Sequence, residues 1–119
     1  MADILIVDDA DFIRLLLRDI LTHNGHRVVG EASDGVEAIL KYRELRPDIV
    51  TMDIVMPQTN GIQAVRAIKA EYPKARIVMI SALGQQKLVM ESIRAGAKDF
   101  IVKPFNERTV VDIINKALL

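Results

Sequence analysis

Three aspartates, a serine and a lysine draw attention because each follows directly on an apolar run. Asp8 and Asp9 come after Ile4-Leu5-Ile6-Val7, and Asp53 after Ile49-Val50-Thr51-Met52. Ser81 comes after Ile77-Val78-Met79-Ile80, and Lys103 after Phe100-Ile101-Val102. Carboxylates gathered in one place repel: at an effective dielectric near 20, a pair about 4 Å apart costs roughly 4 kcal/mol. A divalent hard cation offsets this, and magnesium prefers one or two carboxylates completed by waters and phosphate oxygens. Lys103 adds a mobile positive charge and Ser81 a hydroxyl donor. A carboxylate nucleophile, a cation, a lysine and a hydroxyl are the parts that stabilise a phosphoryl group in transfer, where catalysis is mostly positioning and charge neutralisation.

Each residue has a plainer explanation when taken alone. Asp9 or Asp11 would cap a helix. Ser81 would be a turn residue and Lys103 a solvated surface charge. Asp53 is harder to dismiss, because Ile54, Val55 and Met56 follow it and an acid in such surroundings is costly without a partner. The functional meaning comes from convergence of polar groups at four strand ends. The end of the second run, near Glu31, Ala32 and Ser33, contributes nothing distinctive.

The elements that must bring these residues together are legible as alternation. The five strand-like runs are Ile4–Val7, Arg27–Gly30, Asp48–Met52, Arg76–Ile80 and Asp99–Val102. Three are nearly solid Val, Ile, Leu and Met, as in parallel strands covered on both faces. Helical patterns lie between them. The first presents Phe12, Ile13, Leu16, Leu17, Ile20 and Leu21, and the last Val110, Ile113, Ile114, Ala117 and Leu118. Asp34 with Glu37 makes a capping-box pair, and Asn60 and Asn106 cap the third and fifth helices. Asn24-Gly25 and Gly96 end helices, while Pro47 and Pro73 follow two others. Strict β–α alternation implies right-handed crossovers and a doubly wound parallel sheet, an α/β fold. Ligands of such sheets bind beyond the carboxyl ends of the strands, where these five residues stand.

Composition narrows the function. The 119 residues are expected to make one domain, 1–119, with no output domain and no linker. Sixteen basic residues balance sixteen acidic ones, with no basic run to suggest nucleic acid or a membrane surface. The absence of cysteine excludes disulfides and thiolate metal sites and suits a cytoplasmic protein. Met1-Ala2-Asp3 runs straight into a strand-like segment, so no signal peptide is expected, and no apolar stretch approaches a membrane span. No Gly-rich phosphate loop is present. Three Phe, two Tyr and no Trp argue against a flavin site. His23 and His26 are expected on the surface, away from the acids.

Ile6-Val7-Asp8-Asp9, Met52-Asp53-Ile54-Val55-Met56-Pro57 with Asn60-Gly61, Ser81-Ala82 and Lys103-Pro104-Phe105 together resemble the receiver domains of two-component response regulators. The resemblance spans the whole chain. Residues Ser81–Gln86 and Ala95–Phe105 look especially like chemotaxis (CheY-like) receivers of Gram-positive or thermophilic lineages. It implies a flavodoxin-like (βα)5 sheet in the order 2-1-3-4-5. It makes Asp53 the phosphoacceptor, with Asp8, Asp9, Asp53 and the backbone carbonyl of Val55 around Mg2+. Ser81 and Lys103 would contact the phosphoryl oxygens, Phe100 would be the switch aromatic, and the Lys103–Pro104 peptide would be cis. The family often has Thr where Ser81 stands and Tyr where Phe100 stands. Serine still supplies a hydroxyl, but phenylalanine has none.

The function so implied is a stand-alone switch, not an enzyme acting on another substrate. Asp53 would take a phosphoryl group from a sensor histidine kinase of the chemotaxis (CheA-like) type. The altered surface would bind a partner such as a flagellar motor switch protein, and a separate phosphatase would reset it. The other possibilities are a sporulation-type phosphorelay intermediate and the receiver of a longer DNA-binding regulator.

Overall fold

The computed structural model describes residues 1–119. Strands and helices alternate: β1 (Asp3–Val7), α1 (Asp11–His23), β2 (Arg27–Ala32), α2 (Gly35–Leu45), β3 (Ile49–Asp53), α3 (Gly61–Glu71), β4 (Ile77–Ser81), α4 (Gln86–Ala95), β5 (Asp99–Val102) and α5 (Glu107–Ala117). All pairings are parallel and the order is β2-β1-β3-β4-β5, the flavodoxin-like arrangement. β3 and β4 lie one residue further along than the apolar runs suggest, and β2 runs two residues further, to Ala32. Pairing persists to the carboxyl edge, where Ile54 N–H still donates to the Ile80 carbonyl at 3.2 Å. Asp53 and Ser81 are therefore the last rungs of their strands.

The sheet separates two apolar layers. Leu5, Val7, Val50, Met52, Ile77 and Met79 pack with Ala38 and Tyr42 of α2, with Val65 and Ile68 of α3, and with Val89 of α4. Ile4, Ile6, Ile49, Val78, Ile80 and Ile101 pack on the other side with Leu17, Ile20 and Leu21 of α1 and with Val110, Ile114 and Ala117 of α5. This alternation along solidly apolar strands explains why they carry no polar face. Each fully buried Ile or Leu contributes about 1.5–3 kcal/mol of transfer free energy.

Helix boundaries follow local chemistry. Asn60 Oδ1 accepts from Gln63 N–H at 2.9 Å while Gln63 Oε1 accepts from Asn60 N–H at 3.1 Å, a complete capping box. Asn106 Oδ1 accepts from Thr109 N–H at 2.9 Å. The expected box at Asp34 is displaced: Asp34 Oδ1 accepts from Glu37 N–H, but Glu37 reaches back to the Ser33 N–H at 2.7 Å. Gly96 ends α4 at φ 120°, a conformation that favours glycine. No helix is long and apolar enough to cross a membrane.

Two expectations fail. Phe12 is exposed, whereas Ile13 beside it is half-buried against the layer that holds Leu17, Ile20 and Leu21, so the buried stripe of α1 passes Phe12 by. His26 is buried, not on the surface. Its Nδ1 accepts from Ala2 N–H at 3.2 Å, and its Nε2 lies 3.2 Å from Asn115 Oδ1 of α5. The ring ties the start of the sheet to the last helix.

Candidate functional site

Alternation along the strands decides which side chains meet. Asp8 continues the Ile4 and Ile6 side of β1, Asp53 the Ile49 side of β3, and Lys103 the Ile101 side of β5, so all three lie on the face covered by α1 and α5. Each of Asp8, Asp9 and Asp53 offers a carboxylate oxygen within 4.8 Å of the others. Lys103 Nζ stands 3.3 Å from Asp8 Oδ2 and 3.6 Å from Asp53 Oδ1.

Asp8 is wholly buried and held on several sides. Its N–H donates to the Ala32 carbonyl at 3.1 Å, and its Oδ1 accepts from Ala10 N–H at 2.9 Å. Oδ2 has no hydrogen-bond partner: Lys103 is at ion-pair distance but not aligned to donate. A buried carboxylate oxygen without a donor, beside two further carboxylates, is a hard-oxygen set that suits a magnesium-sized cation. The plain capping explanation of Asp9 and Asp11 does not hold, since α1 is preceded by Ala10 and has no side-chain cap. Val55, exposed in the segment between β3 and α3, has a carbonyl that accepts no backbone hydrogen bond.

The electrostatics express the crowding. Burial pushes the Asp53 carboxyl up from 3.8 to about 7; the Asp8 charge adds to this, Lys103 opposes it, and Asp9 raises it further. The metal-free site therefore holds on to a proton near neutrality. Added positive charge would release it.

Ser81 and Phe100 belong to the opposite face. Ser81 continues the Met79 side of β4, and Phe100 pairs with Met79. They line a groove of about 190 Å³ with Leu83, Val89, Met90 and Val102. Phe100 is 39% exposed, so it is not a core aromatic. Lys103 N–H donates to the Ser81 carbonyl at 2.7 Å, joining the two faces at the rim, and the Lys103–Pro104 peptide is cis. Behind Asp53, Gly61 approaches so closely that a Cβ there would lie 2.2 Å from the Asp53 carbonyl oxygen.

The end of β2 is not as featureless as the sequence suggests. Glu31 Oε1 accepts from Arg14 Nε at 3.0 Å, and Glu31 Oε2 from Arg18 Nε at 2.8 Å. Arg14 Nη1 in turn donates to the Asp8 carbonyl at 2.6 Å. The available signal was a pair of arginines four apart on α1, able to face one acid on the neighbouring edge strand.

Residues 4–115 match the response regulator receiver domain model. The chain is a response-regulator receiver domain. The chemotaxis protein CheY of Thermotoga maritima is 58% identical to this receiver over 113 residues, covering 95% of this chain and 94% of its own. The CheY of Bacillus subtilis is 56% identical over 115 residues, covering 97% and 96%. One chain of the CheX–CheY–BeF3–Mg2+ complex from Borrelia burgdorferi superposes with a TM-score of 0.94 at 39% identity, covering 98% of this receiver and 89% of that chain. Receivers bind Mg2+ through an acidic cluster, which here is Asp8, Asp9 and Asp53.

Proposed function

We propose that this receiver is a chemotaxis switch in which Asp53 accepts a phosphoryl group from a phosphohistidine of a CheA-like sensor kinase. The observation that carries it is the meeting of Asp8, Asp9 and Asp53 within 4.8 Å, with Lys103 against two of them. As phosphorus bonds to an Asp53 carboxylate oxygen, the phosphorus–nitrogen bond breaks, and the imidazole, already protonated on its other ring nitrogen, leaves as the neutral ring. Lys103 supplies charge to the phosphoryl oxygens and Ser81 a hydroxyl donor. Asp8, Asp9, Asp53 and the Val55 carbonyl would hold Mg2+. When bound, the ion neutralises the carboxylates and the incoming phosphoryl oxygens.

Phosphorylation would then draw Ser81 toward the new group and shift Phe100 in the groove both residues line. The altered α4–β5 surface is the output, with a flagellar motor switch protein as the partner class, in the cytoplasm. The high identity to two proteins named CheY supports the chemotaxis assignment over the phosphorelay and DNA-binding alternatives. A separate phosphatase would reset the switch. The test is incubation with acetyl phosphate and magnesium, followed by mass spectrometry. One phosphoryl group is expected on the wild type, and none on Asp53→Asn or in the presence of a chelator. Equal labelling of Asp53→Asn would remove Asp53 from its role.

A further inference from the structure

Two consecutive residues of the edge strand β2 hold the two ends of Asp8. The Ala32 carbonyl accepts the Asp8 N–H at 3.1 Å. Glu31 acts on the Asp8 carbonyl at one remove, by fixing the Arg14 guanidinium that donates to it at 2.6 Å. With Asp8 Oδ1 committed to the Ala10 N–H, only Oδ2 remains for the site.

The Asp8 carbonyl belongs to the peptide that leads into Asp9. Its orientation sets where Asp9 leaves the strand. Asp9 crowds against Asp8 and Asp53, its carboxylate within 4.8 Å of theirs, so charge on these acids works to push it outward. A guanidinium on that peptide resists the displacement. Arg14 also pairs with Asp11, so one planar fork meets three acceptors, an arrangement a lysine cannot reproduce.

We propose that Arg14, held in place by Glu31, is a positioning residue for the Asp8–Asp9 turn and so for magnesium binding; this rests on the magnesium site proposed above. The contact differs from the ordinary ion pairs of this surface. The Arg14 side chain is 17% exposed, whereas Arg18, on the same glutamate, is 42% exposed and has no contact with Asp8. Exposed pairs of the second kind contribute little. Partners that orient a ligand-bearing group from outside commonly govern metal affinity.

The test titrates magnesium into the full chain and follows amide NMR shifts of Asp9, Ala10 and Asp53, since there is no Trp to report binding. Arg14→Ala is expected to bind magnesium about tenfold more weakly, the lower end of losses seen for outer ligand contacts. Glu31→Ala should weaken it in the same direction, by roughly threefold, while the control Arg18→Ala stays within about twofold of wild type. Arg14→Lys, which keeps a donor for the carbonyl, should recover part of the loss. At saturating magnesium, Arg14→Ala should accept the phosphoryl group from acetyl phosphate within about threefold of the wild-type rate, because the clamp acts on binding. A folded Arg14→Ala with wild-type magnesium affinity overturns the proposal. If that variant does not fold, an unchanged affinity in Glu31→Ala overturns it instead. A wild type that shows no magnesium response overturns the magnesium site and the clamp together, whereas a wild type that binds beside unaffected variants overturns the clamp alone.

Discussion

Ser81 and Phe100 face one groove from neighbouring strands, two rungs apart: Ser81 pairs with Val102 and Phe100 with Met79. The groove measures about 190 Å³, and a cavity of about 150 Å³ suffices for a benzene ring. Movement of the Ser81 hydroxyl toward a phosphoryl group on Asp53 would add to that room, which the Phe100 ring could then use. Only a ligand with different contacts in two states shifts their populations, and in the proposed switch Ser81 would supply such a contact. Ser81→Ala should still accept the phosphoryl group, at least about tenfold more slowly after losing one donor. Its α4 and β5 amide shifts should stay at their unphosphorylated positions. Wild-type shifts in phosphorylated Ser81→Ala would exclude this route.

The Asp53 carboxyl, raised from 3.8 to about 7, makes metal-free stability depend on pH. The folded state binds this proton more tightly than the unfolded chain does. The stabilisation is complete below the unfolded value of 3.8, is lost as pH rises toward about 7, and is absent above it. In chelator, Asp53→Asn should be more stable than wild type, and its advantage should grow between about pH 5 and pH 8. At the upper end the gain is roughly 1–2 kcal/mol once solvent screening is allowed for, or about 5 °C or more in Tm. Magnesium should close the gap by stabilising only the wild type, by about 2.7 kcal/mol at one hundred times its Kd. Thermal melts across pH decide it, and a flat difference between the two proteins would contradict a crowded acid site.

Gly61→Ala tests the packing behind the acid. The added carbon would sit 2.2 Å from the Asp53 carbonyl oxygen and 3.0 Å from the Ile54 Cα, both backbone atoms that cannot rotate away. Overpacking of this kind costs about 1–3 kcal/mol. Urea denaturation should show that loss, and magnesium affinity should fall with it because Asp53 is displaced. Wild-type values for both would mean that α3 can slide without moving Asp53.

Val55 and Leu83 are expected to bear on the lifetime of the phosphorylated state. Both are exposed, 53% and 77%, and stand two residues beyond Asp53 and Ser81. Neither side chain can orient a water for attack on an aspartyl phosphate. A slow loss of phosphate is therefore expected. The double variant Val55→Asn, Leu83→Glu should lose it about tenfold faster, a modest part of the roughly 10²–10⁴-fold that a fully positioned proton acceptor contributes. Both positions are exposed, so the variant should fold as wild type does, surface changes usually staying within about 0.5 kcal/mol. Phosphate release no faster than wild type in the double variant would deprive the two residues of this role.

How far the fold and site can be read from sequence follows from where the partners lie. Asp8, Asp53, Ser81 and Lys103 are legible because a polar residue ending a solidly apolar run is conspicuous, and parallel strands bring their carboxyl ends to one edge. Glu31 is only faintly legible, through its arginine pair: on an edge strand an acid looks solvated, and its partners Arg14 and Arg18 are 17 and 13 residues away on α1. His26 hides for the same reason, since the Asn115 that faces it is 89 residues further along. The displaced cap at Asp34 turns on a rotamer of Glu37, which spacing alone does not specify.

The two apolar layers share no side chains, and the chemistry at Asp53 faces one while the groove at Phe100 faces the other. Between them, at the rim, runs a peptide hydrogen bond from Lys103 to Ser81. A message that crosses there need not travel through either interior. Substitutions that keep each layer filled can accumulate over evolutionary time while the relay stays intact, so lineages with quite different interiors can inherit the same short circuit.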